Sequence, residues 1–412
     1  MRVFKFGGAS VKDAEAFFNV FRILQDHLDS SLWVVVSAIG KTTNHLEELH
    51  SLWRKGQLTD SSWKPLFDLH SKIAQPLGLD GQQHQWRIIW KELTQKAQQE
   101  PVGHFDQTYD DWVSYGELLS TSLLSEWCNT QGLKNQWVDA RQWLTTDERY
   151  RDARVQWEFT QHQLRAIPPH SITITQGFIG HSGVSTTTLG REGSDYTAAI
   201  IAHCLDAEEL IIWKDVPGML NADPKKFDDA IFIPQLSYRE ALELAYYGAS
   251  VIHPKTIQPL QSKNIPLNIR SFIQPQNAGT LITQSGSDQY PTCTIVKEKQ
   301  TLLSISTKDG SFVVEDNIME IFHHLIHIGI KVQLMENSAL SFSLCVQAEN
   351  EKMEELYQVL QKKYHIKYNF PVTLVTLRHY QEADLKKWNQ PVLLEQKNRS
   401  TIRWVMESSV QQ

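Results

Sequence analysis

The chain alternates short apolar runs with longer stretches of helical periodicity. Val3, Phe4 and Phe6 predict a short buried strand. Val11 to Leu28 carries apolar residues at helical spacing, with Ser10 placed to cap that helix. SLWVVVSA (31–38) is nearly all apolar and β-branched, the pattern of a strand covered on both faces. Residues 45–100, rich in Trp, Leu and Gln, read as a helical insertion. YGELLSTSLLSEW (115–127) predicts a helix, NQWVDA (135–140) a short strand, and SITITQGFIG (171–180) a buried strand ending in glycines. DYTAAIIAHCL (195–205) reads as a helix, EELIIWKDV (208–216) as a strand and SYREALELAYYGAS (237–250) as a helix. This alternation over residues 1–285 predicts an α/β domain with a mostly parallel sheet between helices, and ligands at the polar loops of its strand ends.

The pattern changes at QPQNAGTLITQSGSDQYP (274–291), a Gly-, Ser-, Gln- and Pro-rich boundary. Beyond it come a strand at TLLSIST, a helix at EDNIMEIFHHLIHIG, strands at KVQLME and LSFSLCVQ, a helix over Glu351–Tyr364 and a strand at PVTLVTLRH. That β-α-β-β-α-β order is the ferredoxin-like layout. Two domains are expected, 1–285 and 292–412. The residues after about 383 are too few for a second complete module, although VLLEQKNRSTIRWVM can supply a hairpin. LLSIST and SFSLCV are the candidate exposed edges, through which a two-fold homodimer would form.

Composition narrows the function classes. The net charge of −7 argues against nucleic acid and anionic membranes as partners, since both select basic surfaces. Four scattered cysteines without C-x-x-C pairs imply neither a zinc site nor a disulfide framework. No apolar run is long enough to span a bilayer and no signal-peptide layout opens the chain, so a cytoplasmic protein is expected.

Candidate chemistry begins at KFGGAS (5–10). A glycine turn from strand to helix exposes backbone N–H groups at the positive end of a helix dipole, which is a seat for phosphate. Any tight strand–helix turn also favours glycine, and on this segment alone both readings stand. The Walker A and G-x-G-x-x-G spacings are absent, so Lys5 would have to reach a phosphate from the strand itself. GHSGVSTTTLGREGSDYTAA (180–199) sets glycines around Arg191, whose planar fork suits a carboxylate or phosphate. Asp195 follows on a first helical turn, where it can cap the helix, hold Lys5 or hold a metal. Glu117, taken alone, reads as a solvated charge near a helix start. SAIGKTTN offers Ser37 and Thr43 at a strand end, and WKDVPGMLNADPKK reads as a turn-rich excursion.

Taken in order, KFGGAS, VVVSAIGKTTN, YGELLS, VDAR, TLGREGSDYTAA, KDVPGMLNADP and ELAYYGASVIHPKT resemble the aspartate kinases of the amino acid kinase superfamily. The resemblance runs from Lys5 to Thr256 and continues into a C-terminal region similar to that family's ACT regulatory part. It implies transfer of the γ-phosphoryl group of ATP, accompanied by Mg²⁺, to the β-carboxylate of L-aspartate. The product would be 4-phospho-L-aspartate, the first step toward lysine, threonine and methionine.

Carried over by position, Lys5 and Asp195 would be catalytic, and Ser37, Thr43, Glu117 and Arg191 would hold aspartate. Lys5, Phe6, Gly7, Gly8, Ser10, Lys214, Asp215, Leu220, Lys225 and Ser250 would face the nucleotide, and no residue is assigned as a metal ligand. The chain departs from the family's usual pattern with Ala9 for Thr, Lys214 for Thr, Leu220 for Tyr, Lys225 for Arg and Ser250 for Lys. Leu220 and Ser250 motivate an alternative, an ATP-binding pseudokinase acting as a regulatory subunit. Asp316, Asn317 and the run Asn337–Ser338–Ala339 replace effector-pocket residues of lysine- and threonine-sensitive relatives, so weak or no inhibition by either amino acid is expected.

Overall fold

The computed structural model describes residues 1–249, 252–287 and 289–408. The chain forms two compact units that interleave in sequence. The first comprises Met1–Met219, Pro234–Ala245 and Ser250–Ser287; the second comprises Leu220–Ile233, Tyr246–Ala249 and Asp288–Gln412.

The first unit opens with β1 (Arg2–Phe6), α1 (Ala14–Gln25), β2 (Leu32–Val36) and α2 (Thr42–Arg54). The helical stretch expected over residues 45–100 holds most of α2 together with α3 (Lys64–Ala74) and α4 (Gln85–Lys96), and α5 (Phe105–Val113) follows beyond it. Then follow α6 (Tyr115–Thr130), β3 (Gln136–Val138), α7 (Trp157–Ala166), β4 (Ile172–Gln176), β5 (Ile179–His181), β6 (Thr186–Thr188), α8 (Gly193–Cys204) and β7 (Glu209–Lys214). Leu220–Ile233, which carries the end of β8 (Met219–Leu220) and all of β9 (Phe232–Ile233), belongs to the second unit; the chain continues with β10 (Gln235–Ser237), α9 (Tyr238–Tyr247), α10 (Pro254–Ser262), β11 (Leu267–Ser271) and β12 (Thr280–Thr283).

Eight strands form the central sheet in the order β10-β12-β11-β7-β1-β2-β4-β3, and only β11 and β12 pair antiparallel. β2 is buried at every position, as its LWVVV run requires of a strand with helices on both faces. Alternation along β1 sends Phe4 and Phe6 into an aromatic core. Phe6 stacks on Trp213 with ring centroids 6.1 Å apart and meets Phe272 edge-on. Burying each such ring contributes roughly 2 kcal/mol or more. Lys5 leaves β1 on the other face, where α8 crosses β1, β2 and β7. The registers Phe6↔Val36, Phe6↔Trp213 and Val36↔Gln176 bring the carboxyl ends of four neighbouring parallel strands level.

Two sequence expectations in this unit are corrected. Ser10 does not cap α1: Gly8–Val11 winds into a single 3₁₀ turn, and Asp13 caps α1 by accepting from the Ala16 N–H at 2.8 Å. The run 171–180 is not one strand. It breaks at Gly177 and at Phe178, whose φ of 69° turns the chain out of β4 into β5.

The second unit is built on β13 (Cys293–Thr307), α11 (Glu315–Ile328), β14 (Lys331–Asn337), β15 (Phe342–Gln347), α12 (Asn350–Leu360), β16 (Tyr364–Arg378), α13 (Glu382–Leu385), β17 (Val392–Lys397) and β18 (Thr401–Glu407). Its antiparallel sheet has the order β14-β15-β13-β16-β18-β17, and the first four strands follow the ferredoxin-like order. Leu303, Ile305 and Leu344 pack under Ile321 and Leu325 of α11 and Leu356 of α12. The hairpin expected near the C-terminus forms as β17 and β18.

The candidate edges are corrected here. LLSIST lies in β13, between β15 and β16, and SFSLCV lies in β15, between β13 and β14. Both runs are apolar because they are central, and the sheet instead ends at β14 and β17. The helix expected over 351–364 stops at Leu360, and β16 already begins at Tyr364. Among the described residues, no helix is long and apolar enough to cross a membrane.

Candidate active site

At the level ends of β7, β1, β2 and β4, the first unit has a cleft of about 330 Å³. It is lined by Lys5, Gly8, Ser37, Thr43, Glu117 and Asp195, together with Gly190, Glu192, Gly193 and Ser194 around the start of α8. Lys5 is only 6% exposed, and its ammonium lies 2.6 Å from Oδ1 of the fully buried Asp195. Asp195 stands in the first turn of α8, so the helix macrodipole favours its negative charge there. Lys214, at the end of β7, brings a second ammonium 3.3 Å from Asp195 Oδ2. Burial alone would raise the Asp195 pKa, but Lys5 and Lys214 outweigh it and hold the carboxyl below its usual range.

Glycines let these groups meet. A Cβ on Gly7 would sit 3.3 Å from the Lys5 ammonium, which folds over that residue. On Gly8 a Cβ would come within 2.8 Å of Ala38 O and 3.1 Å of Gly40 O. Those are backbone atoms of the loop after β2, tied to Gly8 O by the Gly40 N–H at 3.1 Å. Gly8→Ala is therefore expected to push the two strand-end loops apart, costing about 1–3 kcal/mol. Turnover should fall at least tenfold in a chain that still melts cooperatively, as steady-state kinetics beside a thermal melt would read. Gly177 serves the other wall, because a Cβ there would lie 2.4 Å from the Ser194 Cβ at the start of α8.

Glu117 is buried, contrary to its reading as a solvated charge. Gly116 allows the close approach: a Cβ there would come within 2.9 Å of the Ala38 Cβ. The α6 start thus delivers the Glu117 carboxyl to the cleft, where Oε1 accepts from the Ala38 N–H at 3.2 Å. Oε2 is buried without a hydrogen-bond partner in the protein. Burial pushes the Glu117 pKa up to about 8, against the partial offsets of the Ala38 hydrogen bond and the Lys5 charge. An unpartnered, buried carboxyl oxygen facing a cleft fits a cationic group of a ligand.

The cleft brings Lys5, Gly8, Ser37, Thr43, Glu117 and Asp195 together, with Gly7 and Lys214 immediately behind. The other expected residues that the structure describes are not among those lining the cleft. Phe6 faces the aromatic core on the opposite side of the sheet. Ser10 is buried, its hydroxyl 3.5 Å from Trp213 O. Asp215 is exposed just beyond β7, and Arg191 is exposed on the turn before α8 without lining the cleft. Leu220 and Lys225 fall in the second unit, where Lys225 is exposed. Ser250 lies outside the described residues. Sequence reasoning missed Ala38, Phe178 and Ser194 as lining residues. Gly177 was the available signal, since a glycine ending a buried strand marks a close backbone approach.

Residues 1–271, the stretch carrying this sheet and cleft, match the amino acid kinase family, to which the chain belongs. It is 31% identical to the lysine-sensitive aspartokinase 3 of Escherichia coli, over 83% of this chain and 77% of that one. It is 30% identical to a chloroplastic bifunctional aspartokinase/homoserine dehydrogenase of Arabidopsis thaliana over 88% of its own length, but spans only 42% of that relative. The crystal structure of E. coli aspartokinase III in complex with aspartate and ADP superposes with a TM-score of 0.81 at 26% identity, covering 99% of this chain and 96% of the other. Within its family, the chain is an aspartokinase relative in both sequence and fold.

Proposed function

We propose that this chain is an aspartate kinase. The bond from the γ-phosphorus of ATP to its bridging oxygen breaks, a bond from that phosphorus to a β-carboxylate oxygen of L-aspartate forms, and ADP leaves. The observation that carries this reading is the buried Lys5–Asp195–Lys214 cluster sharing one strand-end cleft with the buried Glu117. The likeness to an aspartokinase crystallised with aspartate and ADP supports the same assignment.

The chemistry suits these groups. The acceptor oxygen is already an anion, so no strong base is needed. The barrier lies in bringing two anions together and stabilising the charge spread over the phosphoryl group in flight. Lys5, oriented by Asp195, and the N–H groups of Gly7 and Gly8 would meet that charge. Glu117 would receive the α-ammonium, Ser37 and Thr43 would complete the pocket, and Arg191 would swing in from its exposed turn to a substrate carboxylate. Among the described residues no three His, Cys, Asp or Glu side chains cluster as a metal cage. Mg²⁺ would arrive with ATP, held largely by phosphate oxygens and water. The second unit would serve regulation and homo-oligomer formation, with β14 and β17 as the available sheet edges.

Incubation with ATP, Mg²⁺, L-aspartate and hydroxylamine tests the proposal. The acyl phosphate should be trapped as aspartyl hydroxamate, in an amount matching the ADP released. ATP binding without hydroxamate would favour the pseudokinase reading instead.

A further inference from the structure

We infer that Asp110 is a positioning residue for the amino-acid substrate, holding the turn that carries Arg191 at a set place relative to Glu117. This role rests on the proposed reading of Arg191 and Glu117 as partners of the substrate, and deepens it. Asp110 stands in α5 and is fully buried. Its carboxylate takes hydrogen bonds from three donors on two separate segments. The Arg151 N–H is shared between the two oxygens, 2.9 Å from Oδ2 and 3.1 Å from Oδ1. The Thr188 N–H donates to Oδ2 at 2.7 Å, and the Thr188 hydroxyl donates to Oδ1 at 2.8 Å. Burial pushes the Asp110 pKa up to about 6, against these hydrogen bonds and the Arg151 charge. A side chain serving only to pack α5 would cost less as an apolar residue.

Both segments lead to the cleft. Thr188 ends β6, and the turn into α8 follows directly. Gly190, Glu192, Gly193 and Ser194 of that turn line the cleft, and Arg191 is exposed among them. The Arg151 loop backs the turn. Ala153 N–H donates to Thr188 O at 2.9 Å, and a Cβ on Gly190 would lie 2.8 Å from Arg151 O. Arg151 itself has a φ of 65°, a left-handed conformation that a non-glycine residue keeps only when its surroundings hold it. Its N–H is held by Asp110, and its guanidinium lies over the Tyr109 ring at 4.2 Å and 3.5 Å from Asp106, both also in α5. In the other direction only Ser114 separates α5 from α6, whose first turn delivers Glu117. One helical corner therefore sets both partners of the substrate, Glu117 directly and Arg191 through Asp110 and Thr188. An α-amino acid presents its ammonium and carboxylates at limited spacings, so a site that reads both ends needs its two partners held to match.

Asp110→Ala leaves the Arg151 and Thr188 N–H groups without this acceptor. Asp110→Asn keeps a carbonyl oxygen for them and offers its NH₂ to the Thr188 hydroxyl oxygen. Calorimetric titration of the full chain should show the Kd for aspartate raised about ten- to a hundredfold in Asp110→Ala, the loss of one charged hydrogen bond, with that for Mg²⁺–ATP within about threefold. Asp110→Asn should recover most of the loss. In an Arg191→Ala background, Asp110→Ala should weaken aspartate by less than about twofold further, because the anchor acts through that arginine. Equal weakening of aspartate and ATP, or additive losses in the double variant, overturns the assignment. A second readout needs no substrate. Amide hydrogen exchange over residues 189–194 should quicken about tenfold or more in Asp110→Ala and stay unchanged at the ends of β1 and β2. Unaltered exchange in the turn overturns the assignment as well. If Asp110→Ala does not fold, Thr188→Val, which removes only the hydroxyl donor, takes its place, with a smaller loss of aspartate affinity at unchanged ATP affinity. A wild-type chain that binds ATP but forms no hydroxamate would overturn the aspartate kinase reading, while the exchange comparison would still decide whether Asp110 holds the turn.

Discussion

Lys5→Ala and Asp195→Ala are each expected to lower kcat by about two orders of magnitude or more, the range for deleting a preorganised electrostatic group from a water-poor site. The two losses have different physics. Without Lys5, the cleft loses an ammonium 6% exposed and already oriented by a carboxylate 2.6 Å away, while Asp195 keeps Lys214 as a partner. Stability should then change modestly and turnover greatly. Without Asp195, two ammonium groups lose their shared counter-charge. Breaking a buried pair by removing one partner typically costs about 3–5 kcal/mol, so this variant should also melt earlier. Asp195→Asn keeps the shape and removes only the charge, and should reproduce most of both effects. Steady-state ADP release, read beside a thermal melt, gives the answer. Near-wild-type turnover in a folded variant removes that residue from the mechanism.

Much of the first unit was legible because its strands are buried on both faces. LWVVV and LIIW cannot be mistaken for helical stripes once glycine loops bound them, and their alternation with helices fixes a parallel sheet. Local signals failed where long-range packing decides. Ser10 reads as a cap, but Gly8–Val11 winds a 3₁₀ turn that contains it, and Asp13 caps α1 instead. LLSIST and SFSLCV looked like sheet edges, yet pairing order in an antiparallel sheet depends on partners distant in sequence. Of the site, Lys5 and Asp195 were identified with their pairing left as one option among several, and the structure places them in contact. Lys214 was placed on the nucleotide side without any hint that it shares Asp195, because residues nineteen apart reveal no common partner until β7 and α8 are packed.

Glu117→Gln is expected to weaken aspartate by about a hundredfold while leaving ATP nearly unaffected, and to abolish a pH dependence that the wild type should show. Glu117 is 3% exposed, and burial raises its pKa to about 8, so at pH 7 it is mostly protonated in the free protein. An α-ammonium needs the carboxylate. Binding must therefore expel a proton, and Kd for aspartate should fall by up to tenfold per unit as pH rises from 6 to 8, then level off. Titrations in two buffers of different ionisation heats should report roughly 0.9 proton released per aspartate at pH 7 in the wild type and none from this position in Glu117→Gln. Stability has its own sign. The folded pKa lies above the unfolded value of 4.5, so Glu117 favours folding fully at acid pH, and that contribution is lost as pH rises from 4.5 through 8. The loss runs at about 1.4 kcal/mol per pH unit inside that window. Gln, which cannot ionise, escapes it, so the variant should melt later than the wild type at pH 8.5 although it binds substrate less well. Such opposed changes would mark Glu117 as a group kept for the ligand at the expense of the fold. A pH-independent aspartate affinity in the wild type, or an unaltered affinity in Glu117→Gln, would place the ammonium elsewhere in the cleft.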